Sequence, residues 1–179
     1  MQEANLYTMT IVPMRKTLET FVRILEKAQA HAAAHATKHR PASYFENALL
    51  HDSIIFDQFP FVMQIQRISD NAKNGAARLA GIEAPSFEDS EKTFDELKTR
   101  LQMTVAYLDT IKEADVAGHE GRKVVLPYWD GKHVTAFEYA TEYLLPNFYF
   151  HAVTAYSILR KNGVKIGKDD YIGGLPLKA

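Results

Sequence analysis

Leu144-Leu145-Pro146-Asn147-Phe148-Tyr149-Phe150-His151, continuing as Ala152-Val153-Thr154-Ala155-Tyr156-Ser157-Ile158-Leu159-Arg160-Lys161-Asn162-Gly163, is the stretch whose reading decides the fold. Phe148, Ala152, Ala155 and Leu159 recur at spacings of three and four, so they line one face of a helix. Asn147 and His151, four apart, share a side of that helix beside the apolar stripe. Gly163 supplies the left-handed residue that ends a helix, and Arg160 and Lys161 suit its negative end. Pro146 lacks a backbone donor and crowds the preceding turn, which predicts a kink or short break at 144–146.

The same period recurs upstream. Ile11, Met14, Leu18, Phe21, Leu25, Ala28 and Ala32 predict a helix from Thr8 or Thr10 to about Lys38, with Pro13 in its first turn and Pro41 beyond its end. Ser43 to Leu50 reads as a short helix capped by Ser43. Phe61, Ile65, Ile68, Ala72, Ala76 and Leu79 predict a second long helix over 59–80, with Asp57 as cap and Gly81 as stop. On that helix Gln64 turns toward the interior and Gln66 toward water, while Asp57 lies one heptad before Gln64 on the same side. Phe94, Leu97, Leu101, Thr104, Leu108 and Ile111 alternate by three and four, the seam of a bundle helix running from Asp89 or Ser90 to Lys112.

The period then changes. Lys123–Tyr128 and Lys132–Phe137 flank Asp130-Gly131, a hairpin signal over about 123–137, and the last helix begins near 135–138. The tail, about 165–179, reads as irregular, with Tyr171, Ile172 and Leu175 available to dock it. Four long amphipathic helices with a small β-hairpin before the last make an all-α, four-helix-bundle fold, and 179 residues fit one domain. The long connection between the first two long helices leaves room for an order other than simple up-and-down.

Composition narrows the function classes. Hydrophobic residues at 46% and charged residues at 24% are ordinary for a globular protein, and a formal charge of −1 gives no nucleic-acid signature. Without cysteine there is no disulfide, thiolate metal site or cysteine nucleophile. No apolar run reaches the roughly 20 residues of a membrane helix, and the first residues are not a signal peptide, so the expectation is a cytoplasmic protein with no membrane partner. No glycine loop cradles phosphate, and Ser157 lies inside a helix without the glycines of a nucleophile elbow. Among the seven histidines, His31, His35 and His39 stand at successive spacings of four, by which two imidazoles can grip one ion. The other reading is a solvated stripe at a helix C-terminus, where imidazole suits the dipole.

Phe59-Pro60 with Gln64, Ala77-Arg78-Leu79-Ala80-Gly81, Pro85-Ser86-Phe87-Glu88-Asp89, Leu145-Pro146-Asn147-Phe148-Tyr149-Phe150-His151 and Leu159-Arg160-Lys161-Asn162-Gly163-Val164 resemble an uncharacterised bacterial family of unknown function. That family is grouped with the DinB/YfiT-like metalloenzyme superfamily. The resemblance runs from about Leu6 to Gly173. It implies a DinB/YfiT-like four-helix bundle, often a homodimer. Metal-binding members of the superfamily hold nickel, zinc or iron with three histidines, one from the second helix and two, four apart, from the fourth. Some members transfer low-molecular-weight thiols or isomerise thiol adducts.

Carried over position by position, His151 matches the second histidine of the last helix, Asn147 stands where the first belongs, and Gln64 matches the histidine of the second helix. Amide oxygens are hard, neutral donors, so Gln64, Asn147 and His151 suit a transition metal poorly, and Asp57 or Asp52 would have to complete the sphere. The other reading is a buried hydrogen-bond cluster of Gln64, Asn147 and His151, with Asp57 nearby, forming a polar pocket for a small molecule without a metal cofactor. Three functions stay open: a small-molecule-binding bundle, a metal-dependent thiol transferase or hydrolase with His151 as ligand, and a non-catalytic dimeric structural or stress protein.

Overall fold

Asn5 starts the first helix: its side chain accepts from Thr8 N at 3.0 Å, and Thr8 Oγ1 accepts from Asn5 N at 3.0 Å. The computed structural model describes residues 4–178. Helix α1 spans Leu6–Ala34, α2 Ala42–Leu50, α3 Phe61–Ala80, α4 Phe94–Thr110 and α5 Glu113–Val116. Strands β1 (Lys123–Val124) and β2 (Val134–Thr135) pair antiparallel, Lys123 with Thr135 and Val124 with Val134. Helix α6 (Ala136–Glu138), a π-helical stretch (Tyr139–Leu144) and α7 (Leu145–Lys161) run on as one long helix, and α8 (Lys168–Ile172) follows.

The four long helices pack with α1 on α4, α4 on α3 and α3 on α7. The first long helix thus leans chiefly on the third, so the order is not simple up-and-down. The expected stripes of α1 and α3 are buried, Ile11, Met14, Leu18, Phe21, Phe61, Ile65 and Leu79 among them, and meet Leu97, Leu101, Phe148 and Ala152 in one core cluster. Gly75 lets α7 come close. A methyl group there would lie 2.7 Å from Leu144 Cδ2 and closer still to Cδ1.

Several boundaries differ from those expected. Helix α1 ends at Ala34 with His35 as its cap, so His39 falls outside it, in a turn where Thr37 and Arg40 exchange backbone hydrogen bonds. Neither Ser43 nor Asp57 caps a helix: α2 and α3 begin after Pro41 and Pro60, without a side-chain cap. The cap of α4 is Thr93, in a capping box with Glu96, three or four residues later than expected because Glu88–Glu91 fold back over α3. The hairpin is shorter than expected. Pro127 cannot donate to a ladder, and Pro127–Trp129 form a 3₁₀ turn instead. Asp130 and Gly131, both left-handed at φ 50° and 77°, then reverse the chain, with Lys132 N donating to Trp129 O at 2.9 Å.

Pro146 does not break the last helix. The chain stays helical through Leu144 and Leu145, and the missing donor is absorbed by the wider π turns just before it. Gly81 and Gly163 are left-handed, at φ 71° and 83°, as helix stops require. In the tail Tyr171 docks edge-on against Phe21 and Tyr156, whereas Ile172 and Leu175 stay exposed.

Candidate functional site

Helices α3 and α7 face each other along a polar seam. Gln64, Arg67 and Asn71 recur over one heptad of α3, and Asn147 and His151 are one turn apart on α7. The helices run antiparallel here, so Gln64 meets His151 and Asn71 meets Asn147. The Gln64 side chain is sealed from solvent, and its Nε2 donates to the Phe59 carbonyl at 2.9 Å. That leaves Oε1 to face His151 Nδ1 at 2.7 Å. An amide oxygen only accepts, so Nδ1 carries the proton and Nε2 keeps its lone pair. His151 is 8% exposed, and Nε2 has no hydrogen-bond partner among the described residues.

Burial, and then the charge of Arg67, push the His151 pKa down to about 4. The ring is therefore neutral at pH 7. It offers a hydrogen-bond acceptor rather than a cation.

Asn147 does not join the His151 pair. Its Nδ2 donates to Asn71 Oδ1 at 2.9 Å, and Asn71 Nδ2 donates to the Arg67 carbonyl at 2.8 Å. The seam thus holds two hydrogen-bonded pairs rather than one triad. Asp57 lies exposed on the connection before α3, and no hydrogen bond among the described residues ties it to Gln64, Asn147 or His151. Asp52 is turned elsewhere, bonding Lys161 and Asn162, and those contacts hold its carboxyl below the usual range despite partial burial. Among the described residues no three His, Cys, Asp or Glu side chains stand close enough together to hold a metal ion.

Gln66, expected in water, is buried and donates to Glu91 Oε2 at 2.9 Å. The reason is a charged network that pins the α3–α4 connection over α3. Arg100, 2% exposed, reaches Asp70 at 2.8 Å, Asp89 at 2.9 Å, Glu91 at 2.9 Å and the Glu88 carbonyl at 3.0 Å. Arg67 extends the network to Asp89 at 2.5 Å and Asp70 at 3.3 Å. The network fixes the cation that depresses His151. Sequence reasoning missed Arg67, Asn71 and Arg100. The position of Asn71, one heptad after Gln64, was the one signal available for it.

The helical bundle with this seam defines the class: a DinB-like fold. It superposes on the crystal structure of a DinB family member protein from Shewanella denitrificans with a TM-score of 0.89 and 40% sequence identity, covering 97% of this chain and 95% of that one. Residues 6–172 match the family described as a domain of unknown function, DUF1993, and the chain belongs to that family. No curated protein matches it. No helix among the described residues is long and apolar enough to cross a membrane.

Proposed function

We propose that this DinB-like protein binds a small polar molecule at the edge of the α3–α7 seam, and does so without a metal. The bond between His151 Nδ1 and Gln64 Oε1, at 2.7 Å, carries this reading. It holds the imidazole in one orientation and one tautomer and leaves Nε2 as an acceptor for a hydroxyl or amine N–H. A metal of the kind the superfamily uses does not suit these residues. The three positions supply one imidazole and two amides, the amide of Asn147 is bonded to Asn71, no carboxylate joins them, and the nearby cation is Arg67.

A thermal-shift screen of a polar metabolite panel tests the proposal, run on tag-free protein before and after EDTA, with His151→Phe alongside. The reading expects hits that survive EDTA and vanish in the variant. Hits that need a divalent ion, or that persist in His151→Phe, would overturn it. A homodimer is a second reading, favoured by the outward face of α7, where Phe150 and Val153 are 53% and 49% exposed. Sedimentation of Phe150→Glu against the unaltered chain decides it: the reading expects a dimer that the substitution dissociates.

A further inference from the structure

His31 and His35 close the C-terminal end of α1, far along the chain from the seam and independent of it. Their ring centroids are 4.3 Å apart with the planes tilted by 48°. The His35 ring is anchored to the backbone. His35 Nδ1 donates to His31 O at 2.9 Å, and His31 lines one cleft with Asn162. When the His35 ring is neutral, this contact puts its proton on Nδ1 and leaves the Nε2 lone pair free. Outer-sphere carbonyls orient metal-binding histidines in this way. The sequence shows no carboxylate to do this; the preceding turn of α1 supplies the carbonyl for His35 instead.

The surroundings suit a cation held by neutral ligands. The C-terminal ends of α1 and α7 meet here, and both carry partial negative charge. Phe45 backs the His35 ring at 5.8 Å, and a cleft of about 670 Å³ lined by His31, His35, Asn162, Gly163 and Lys165 opens the pair to solvent. His31 Cε1 sits against the position where Gly163 carries no side chain, at 3.7 Å from where a methyl would lie. Lys27, also beside the cleft, is paired with Asp170 at 2.5 Å. Lys165 stays exposed, and its charge disfavours a hard ion held by electrostatics alone. Two imidazoles at about 2.1 Å from one ion set their ring centres about 4.5 Å apart at a right angle and about 5.2 Å apart at a tetrahedral angle. The observed 4.3 Å falls a little short of both, so a small rotation of either ring brings the pair to one ion.

We infer that His31 and His35 form a two-histidine site for a divalent transition metal that favours imidazole, Cu²⁺ above the others, completed by water or other exchangeable ligands. His39, off the helix, takes no part. The test titrates Cu²⁺, Ni²⁺ and Zn²⁺ into tag-free, EDTA-stripped protein by calorimetry, with the Cu²⁺ paramagnetic resonance spectrum recorded. His31→Gln, His35→Gln, His39→Gln and His151→Gln are compared, and circular dichroism confirms that each folds. The site predicts one Cu²⁺ per chain with two coupled nitrogens, weakened roughly tenfold or more by either of the first two substitutions and unchanged by the last two. Binding unaffected by His31→Gln and His35→Gln, binding lost in His151→Gln, or Zn²⁺ held more tightly than Cu²⁺ would overturn it.

Discussion

Lowering the pH should destabilise this protein through His151 before most of its carboxylates respond. The folded ring binds its proton with a pKa of about 4, against 6.5 for an ordinary histidine, because burial and Arg67 penalise the imidazolium. The unfolded chain therefore takes up a proton that the folded one refuses, and stability falls as pH drops from 6.5 toward 4. Above pH 6.5 the ring is neutral in both states and contributes no pH dependence. A difference of this size is worth about 3 kcal/mol at full effect, and about 2 once water at the exposed edge of the ring is allowed for. The assay is urea unfolding at pH 7.0 and 4.5 for the unaltered chain and for His151→Phe. The carboxylates of Asp52, Asp95 and Asp170, whose pKa values are held low, and the depressed His31 titrate alike in both proteins, so the difference between the two isolates His151. The unaltered chain should lose about 2 kcal/mol more than the variant over that range. Equal losses would mean that the ring is not buried against Arg67 as described.

Other substitutions probe the remaining contacts. Gln64→Glu sets a carboxylate against Nδ1–H and should move the His151 titration upward, past its ordinary range, as followed by imidazole proton resonances. Arg100→Met removes the buried partner shared by Asp70, Asp89 and Glu91, which keep Arg67 and Gln66, and should cost about 1.5–3 kcal/mol in urea unfolding, with faster proteolysis in the 81–93 connection. Unchanged stability there would show that the network only decorates the surface. Gly75→Ala forces Leu144 aside and should cost about 1–3 kcal/mol by overpacking, although alanine favours a helix more than glycine does.

Most of the bundle could be read from periodicity, because α1, α3, α4 and α7 each carry a stripe wide enough to bury. The places where reading failed share a physical cause. Gln66 is polar at a position that the helical period turns outward, and only the fold of 81–93 over α3 covers it, through contacts between residues distant in sequence. Pro146 was expected to interrupt the helix, but π turns can absorb a missing donor, and nothing in Tyr139–Leu144 announces them. The pairing of Gln64 with His151 followed from two helical faces and a resemblance. The pairing of Asn147 with Asn71 did not, because the relative heights of antiparallel helices are set by packing at Gly75 and Leu144 rather than by either helix alone. Asp57 was placed near the site by a heptad count that its exposed turn, lying before the start of α3, does not obey.

The proton on the His151 ring is where this account is most open to direct measurement. Nitrogen-15 imidazole spectra at pH 7 should show His151 as the neutral Nδ1–H tautomer, coupled to Gln64, with Nε2 unprotonated and free of metal, and this state should persist to about pH 5. A ring protonated on Nε2 at pH 7, or one whose Nε2 signal responds to EDTA, would contradict it.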